Sequence, residues 1–341
     1  MSRALPPLSS RLVRISQHLG KKPVMATRKI SRKSYLDLAR GVDAFPYQQY
    51  EPEAYESFAR LYYKFKIGGF SQSFGLLPAK AVDVFKWPEC WVVDHSSRTL
   101  TLSQGKDANQ RSEFFGETLE LMVKSGKIPT LKKLRKEMVP TYKASGELVL
   151  NIDRAACILF GTVAHGVQML AYTQTSQGLK YWVPRRAQSR ESYPGMLDTC
   201  VGGALNSGES PLDCLVREAG EEASLPEDYV RANAKPYSVL SYHMNTDGNG
   251  NEGHQPEVQY VYHIKLSPEV VPTPLDGEVE KFEQMSLDEV QDALVNGEFK
   301  TNCSSTWLAY LIMLGKINAE NEKDLLTISC HLHRRLDFLI R

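Results

Sequence analysis

Residues 202–225, "GGALNSGESPLDCLVREAGEEASL", hold four glutamates and one arginine. Pro211 suits the first position of a helix, and Leu212, Leu215, Val216 and Ala219 follow at helical spacing. On that helix Glu218 and Glu222 are i,i+4, and Glu221 is i,i+3 from Glu218, so the three carboxylates share one edge. Like charges so spaced repel, and a chain that folds this way must offset the repulsion. Arg217, four residues before Glu221, can pair with it, while Glu209 arrives from the glycine-rich turn ahead. Clustered hard oxygens suit Mg²⁺ or Mn²⁺, which would cancel the remaining repulsion. Such an ion would bind diphosphate oxygens, neutralise developing charge and lower the pKa of an attacking water. The plainer alternative is a solvated acidic face, and the spacing argues against it.

A chain of 341 residues suggests two domains, or one large domain with appendages. The formal net charge of +1 implies no nucleic-acid partner. Six cysteines without a CxxC pair point to reduced thiols in an intracellular protein, not to a disulfide framework or a zinc site. No run approaches the ~18 to 20 apolar residues of a membrane helix, so a soluble protein with no membrane partner is expected.

The first 36 residues contain nine Lys or Arg and no Asp or Glu. Leu8, Leu12, Ile15 and Leu19 fall opposite Arg11, Arg14 and His18 on a helical projection. A basic, amphipathic, acid-free leader over 1–34 is the pattern of a mitochondrial transit peptide, which would place the protein in the matrix. A disordered basic tail is the other reading, and a start at Met25 would remove most of it. Without a working leader the expected location is the cytoplasm.

Residues 35–150 read as a smaller α+β module. "EPEAYESFARLYYKF" and "SEFFGETLELMVKSGKI" are helical, and "CWVVDHSSRTLTL" (90–102) is a hairpin. From 151 to 315 the text changes character. "AACILFGTVAHGVQMLAYTQ" (155–174) reads as a buried strand pair, and strands at 181–187, 237–244 and 258–266 follow. Helices cluster late, with a helical tail over 316–341. Mixed strands and helices without GxGxxG or GxxxxGK[ST] favour an α+β or α/β sandwich over a doubly wound nucleotide fold.

Gly203, five residues, Glu209, seven residues, then Arg217-Glu218-Ala219-Gly220-Glu221-Glu222 resembles the signature of the Nudix hydrolases. The resemblance implies an α-β-α sandwich with a mixed sheet, preceded here by the smaller module. It also implies a divalent-metal site and a small-molecule diphosphate substrate. Two positions depart from the usual pattern: Ser224 where glycine is common, and Ala219 where a larger aliphatic residue stands. A non-glycine residue in a left-handed turn costs on the order of 1 kcal/mol. "YPGMLDTCVGGAL", "PEVQYVYHIKL" and "DGEVEKFEQMSLDEV" are similar to the branch related to thiamin pyrophosphokinase-associated proteins of fungi and plants. "SYLDLARGVDAFPY" and "VPTY" are similar to that branch's N-terminal module. "LRKEMVPTY" (134–142) and His263 depart from it, where a tryptophan motif and an aspartate are more usual.

By that resemblance Glu218 and Glu222 are metal ligands, and Glu221 assists as a ligand or as the water-activating base. Arg217 orients the glutamates, Gly203 brings a backbone carbonyl to the metal, and Glu209 braces the loop. Arg185 and Arg186 could reach a diphosphate or simply end a solvated strand. Glu278 and Glu280 are candidate bases or residues of a solvated turn. The implied reaction cleaves thiamin diphosphate derivatives, oxidised forms especially, to the monophosphate plus phosphate. Hydrolysis of a nucleotide-linked diphosphate such as ADP-ribose and a non-catalytic thiamin diphosphate sensor are the alternatives. Trp182, Tyr181 and Tyr193 are ring-stacking candidates by position only, and core packing is the favoured reading for each.

His331 and His333 are i,i+2, about 200° apart, and are expected as surface and packing residues. "DGNGNEGH" (247–254) lacks the glycine and glutamate of a calcium loop and reads as a hairpin tip or lid. Cys200 lies near the glycines, as in isopentenyl diphosphate isomerases, but the flanking motifs point elsewhere. The oligomeric state is open.

Overall fold

The computed structural model describes residues 32–143, 145–246 and 252–336. The basic leader before residue 32, Met25 and the tip at 247–251 lie outside them. In the first half, α1 (Tyr35–Val42) and α2 (Pro52–Ala59) precede β1 (Tyr62–Ile67), β2 (Ser73–Pro78) and α3 (Ala79–Val84). Then come β3 (Trp91–Asp94), β4 (Thr99–Leu102), α4 (Ala108–Ser125), β5 (Met138–Tyr142), β6 (Leu148–Asp153) and α5 (Arg154–Phe160). Strands β1–β4 form a sheet in the order β2-β1-β4-β3, while β5 and β6 pair with each other. Phe65, Leu100 and Leu102 of that sheet pack with Phe115 and Leu119 of α4 and Phe160 of α5. Gly75 permits this contact: a Cβ there would lie 2.2 Å from the Phe160 carbonyl oxygen.

The second half contains β7 (Ala164–Thr175), β8 (Gly178–Arg186), β9 (Val201–Ala204), α6 (Pro211–Ala223) and α7 (Glu227–Asn233). After them run β10 (Lys235–Thr246), β11 (Glu252–Leu266), β12 (Val279–Met285), α8 (Leu287–Val295), α9 (Thr301–Met313) and α10 (Leu325–Leu332). The sheet order is β10-β11-β7-β8-β12, with β9 antiparallel on β7 and only β11–β7 parallel among its named pairs. Strand alternation sends Val167, Met169 and Ile264 to one face, under Cys214, Leu215 and Ala219 of α6. Leu170, Tyr181, Leu240 and Tyr242 go to the other, under Trp307, Leu308 and Leu311 of α9. The mixed α-β-α sandwich expected from the sequence is thus present, preceded by α+β structure. Among the described residues no helix is long and apolar enough to cross a membrane.

Several local readings change. Residues 155–160 are not the first strand of a pair but helix α5: the Asp153 side chain accepts from Ala155 N, and Gly161 ends the helix at φ 57°. A six-residue apolar run carries too little periodicity to separate the two. The helix read through "EPEAYESFARLYYKF" stops at Ala59, and Tyr62 begins β1. The packing also cuts across the 35–150 and 151–315 division. Core membership passes from the first sheet to the second near residue 160, whereas α1 buries Leu38, Ala39 and Val42 against the second core. The tail at 316–341 contributes Ile317, Ile328 and Leu332 to that same core.

Asp43 joins these distant segments. Its fully buried carboxylate accepts from Arg334 Nη1 at 3.1 Å, from His243 N at 3.0 Å and from the Tyr47 hydroxyl. His331 Nδ1 is 2.9 Å away, so His331 joins this internal hydrogen-bonded cluster, a more specific place than the surface and packing role expected for it. Nearby, His243 Nε2 and His254 Nδ1 share a hydrogen bond of 2.9 Å, stacked beneath Phe45. Burial, then each other's proximity and the Arg334 charge, hold His243 well below the usual histidine range, and burial lowers His254 to about 3.

Removing one partner of a buried pair strands the other charge, so Asp43→Asn should lose ~3–5 kcal/mol in urea unfolding. The two rings stay neutral in the fold, whereas an unfolded chain binds protons near pH 6.5. Their contribution to stability is therefore complete above that pH and is lost progressively as pH falls below it, toward about 3 for His254. His254→Phe should flatten the acid limb of the stability profile; an unchanged limb would assign acid sensitivity to other groups.

Candidate active site

β9 ends where the glycine-rich turn begins, and its register sets Gly203 opposite Val167 and Gly202 opposite Gln168. The turn is pinned on both sides: Leu205 N donates to His165 O at 2.9 Å, and Ser207 N to Met138 O at 3.0 Å. Ser210 caps α6 by accepting from Asp213 N, with Pro211 at the first turn. The helix ends at Ser224, which takes the left-handed conformation (φ 53°) usually left to glycine. Its hydroxyl donates to Thr273 O at 3.0 Å, which anchors the strained turn.

Arg217 organises the carboxylates. It grips Glu209 with both Nε (2.8 Å) and Nη2 (3.0 Å), and donates from Nη1 to Glu218 (2.7 Å) and Glu221 (3.3 Å). Nη2 also donates to Ala204 O at 3.2 Å, which ties the helix to the end of β9. Burial pushes Glu209 up, but the hydrogen bonds from Arg217 and Asn206 N outweigh it and hold the carboxyl below its ordinary range. Glu218 goes the other way: burial raises it despite the Arg217 charge. The Glu218 carboxylate rests over Gly203, where a Cβ would come within 1.9 Å of Cδ. Any side chain at 203 would displace it.

Glu222 has a different setting. It accepts from Gly202 N at 2.9 Å and lines a cleft with Arg186, Asp198, Thr199 and Glu278. Burial pushes it well above the usual carboxylate range, and the charges of Asp198, Glu218 and Glu278 push the same way against the Gly202 bond. A recessed carboxylate among three others is stabilised by a cation. Hard oxygens of Glu218 and Glu222, one turn apart beside the Gly203 backbone, fit Mg²⁺ or Mn²⁺ chemically. With Glu218 and Glu221 drawn to Arg217, no three His, Cys, Asp or Glu side chains among the described residues form a ready chelate.

The remaining candidates divide. Arg186 lines the cleft, held by Asp198 (2.6 Å) and the Ser192 carbonyl, whereas Arg185 is turned to Glu283 (3.0 Å) and Gly195 O. Glu278 lines the cleft, paired with Arg190, and Glu280 is exposed. Tyr181 is core, and Trp182 packs on the α6 side of the sheet. Tyr193 lies beside Thr301 and Lys300. Cys200 is buried with its thiol held protonated by burial and the Glu222 charge, a poor nucleophile. No sequence motif marks Asp198, which has Lys300 (3.6 Å) and the Cys303 thiol (2.7 Å) around it. About a hundred residues separate Asp198 from Lys300 and Cys303, a distance across which no local motif shows.

A profile of the NUDIX domain matches residues 165–303. An uncharacterized protein of Saccharomyces cerevisiae is 30% identical over 323 residues, covering 89% of this chain and 92% of that one. The chloroplastic Nudix hydrolase 20 of Arabidopsis thaliana is 29% identical over 65% of this chain, and Nudix hydrolase 24 of the same plant 27% identical over 62%. The chain spans 58% and 56% of the length of those two plant relatives.

Gly203→Ala tests the seating of Glu218. The variant should fold, because β9 pairing needs only its backbone, yet lose ~100-fold in kcat/KM on any diphosphate the wild type cleaves, as a displacement of about 1 Å can cost that much. Circular dichroism and phosphate-release kinetics measure the two together.

Proposed function

Since this chain belongs to the Nudix hydrolase family, we propose that it hydrolyses derivatives of thiamin diphosphate, oxidised forms above all, to the monophosphate and phosphate. That it is an enzyme of phosphoric anhydrides follows from the family. The observation that carries the chemistry is the Arg217 brace, which holds Glu209 and Glu218 while leaving Glu222 to the cleft. The thiamin reading is supported by the motifs on either side of α6, among them "PEVQYVYHIKL" and "DGEVEKFEQMSLDEV".

Glu218, Glu222 and the Gly203 carbonyl would hold Mg²⁺ or Mn²⁺, which when bound supplies charge neutralisation at the diphosphate and a more acidic water. Arg217 orients Glu218 and Glu221 through charge-assisted hydrogen bonds. Glu221 is the most open of the three helix carboxylates, its side chain 54% exposed, and accepts the proton of the attacking water. The water oxygen bonds to the terminal phosphorus, the bridging P–O bond breaks, and its electron pair leaves on the monophosphate. Arg186, steadied by Asp198, contributes positive charge to the cleft wall.

The test is phosphate release with Mg²⁺ from oxidised thiamin diphosphates, thiamin diphosphate and ADP-ribose, using wild type and Glu222→Gln. The expected outcome is preference for the oxidised thiamin compounds and a loss of ~10²–10⁴-fold in the mutant, the equivalent of the several kcal/mol of charge stabilisation a bound cation supplies. Turnover of ADP-ribose alone would keep the chemistry and overturn the substrate. Binding of thiamin diphosphate without release from any compound would make the protein a sensor.

A further inference from the structure

The first module holds a cavity of about 330 Å³ between α4 and the β5–β6 ladder, within the size range of small-molecule sites. Phe115 and Leu119 of α4 form one wall, and Leu134 and Met138 form the other. It shares no lining residue with the cleft around Glu222. Both walls are firmly held. Asn151 N donates to Ser112 Oγ and Arg111 Nε to Val149 O, each at 2.8 Å, which fastens α4 along β6. The buried Asp153 carboxylate accepts from Arg135 N (3.1 Å) and Lys136 N (2.8 Å) and so keeps Lys136 at φ 62°, a left-handed conformation unfavourable to a residue with a Cβ.

Two features of the lining work against the stability of the fold. Gly116 stands inside α4, where glycine is the poorest residue after proline. Packing does not require it, since a Cβ there would meet nothing within 4 Å; its missing side chain widens the cavity. Asn151 Oδ1 is buried with no hydrogen-bond partner among the described residues, a state that costs the desolvation of a carbonyl without return. At the mouth, Glu120 on α4 and Lys136 on the facing wall are both exposed, and neither has an ion-pair partner among the described residues.

These groups define an occupant. An organic cation would leave Lys136 alone and an anion would leave Glu120 alone, whereas a zwitterion meets both. The apolar walls suit a ring, and Asn151 Oδ1 calls for an N–H or O–H donor on it. We propose that this cavity is a binding site for a free aromatic amino acid with a ring donor, of the chemistry of tryptophan: the carboxylate at Lys136, the ammonium at Glu120, and the ring N–H on Asn151 Oδ1. The site stands apart from the hydrolytic cleft and does not rest on the reading of that cleft's substrate.

The experiment is calorimetry on the full chain with L-tryptophan, L-phenylalanine, tryptamine and indole-3-propionate. L-Tryptophan should bind with a Kd of ~0.1–1 mM. L-Phenylalanine, which lacks the ring donor, should bind ~3–10-fold more weakly. Tryptamine and indole-3-propionate, each missing one charge, should bind ~3–5-fold more weakly than tryptophan. Lys136→Gln should weaken tryptophan by the same ~3–5-fold and leave tryptamine unchanged, and Glu120→Gln should spare only indole-3-propionate. Asn151→Leu should erase the preference for tryptophan over phenylalanine. Gly116→Leu should abolish binding while raising Tm, which separates loss of the ligand from loss of the fold. Unchanged tryptophan binding in Gly116→Leu would overturn the proposal, as would tryptamine or indole-3-propionate matching tryptophan. No binding of any probe at ~10 mM would also overturn it and leave a cavity that holds water only. Glu222→Gln should bind tryptophan as the wild type does; a loss there would put the ligand in the cleft instead and overturn the site. None of these readouts depends on phosphate release, so the hydrolase reading and this one fail separately.

Discussion

One guanidinium makes the acidic helix possible. Four glutamates near the start and along one side of α6 would repel one another, and Arg217 meets three of them while also binding the Ala204 carbonyl. A lysine would offer a point charge with no fixed fork. The planar group instead sets directions: two donors to Glu209, one nitrogen shared by Glu218 and Glu221. Glu222 receives nothing from it. The carboxylate left outside the arginine's reach is recessed in the cleft against Asp198 and Glu278, and it is the one most in need of a cation. The electrostatic asymmetry of the site follows from which residues Arg217 can and cannot touch.

That arrangement requires a rigid floor, and the sheet supplies it. β9 is short, yet its pairing with β7 holds Gly202 and Gly203 beneath α6, close enough that the glycine at 203 has no space for a side chain. The first module braces the same turn from outside through Met138 and Ser207. On the far side of the sheet, Asp43 fastens the segment after α1 to β10 and to Arg334. The described chain is therefore not two beads on a string: its early helix and its late helix close over one sheet.

Much of the acidic helix α6 was legible because its evidence is local. Pro211 starts the helix, Glu218 and Glu222 fall one turn apart, and Ser224 sits where a left-handed residue is needed. All of this is set by backbone geometry within a few residues. The alternating strands at 237–244 and 258–266 were readable for the same reason, since burial on one face writes a period of two into the sequence. Helix α5 was misread because its apolar run is six residues long, and its cap at Asp153 and stop at Gly161 were the better signals.

What the sequence by itself determined is the acidic helix with its internal arginine, the glycine turn ahead of it and the mixed sandwich around it, since these rest on spacing and periodicity. Tertiary structure alone decided which arginine lines the cleft and that Asp198 joins Arg186, Lys300 and Cys303. Those relations join residues tens to a hundred positions apart. Charge acts through space, not along the chain, so only the fold could bring them together.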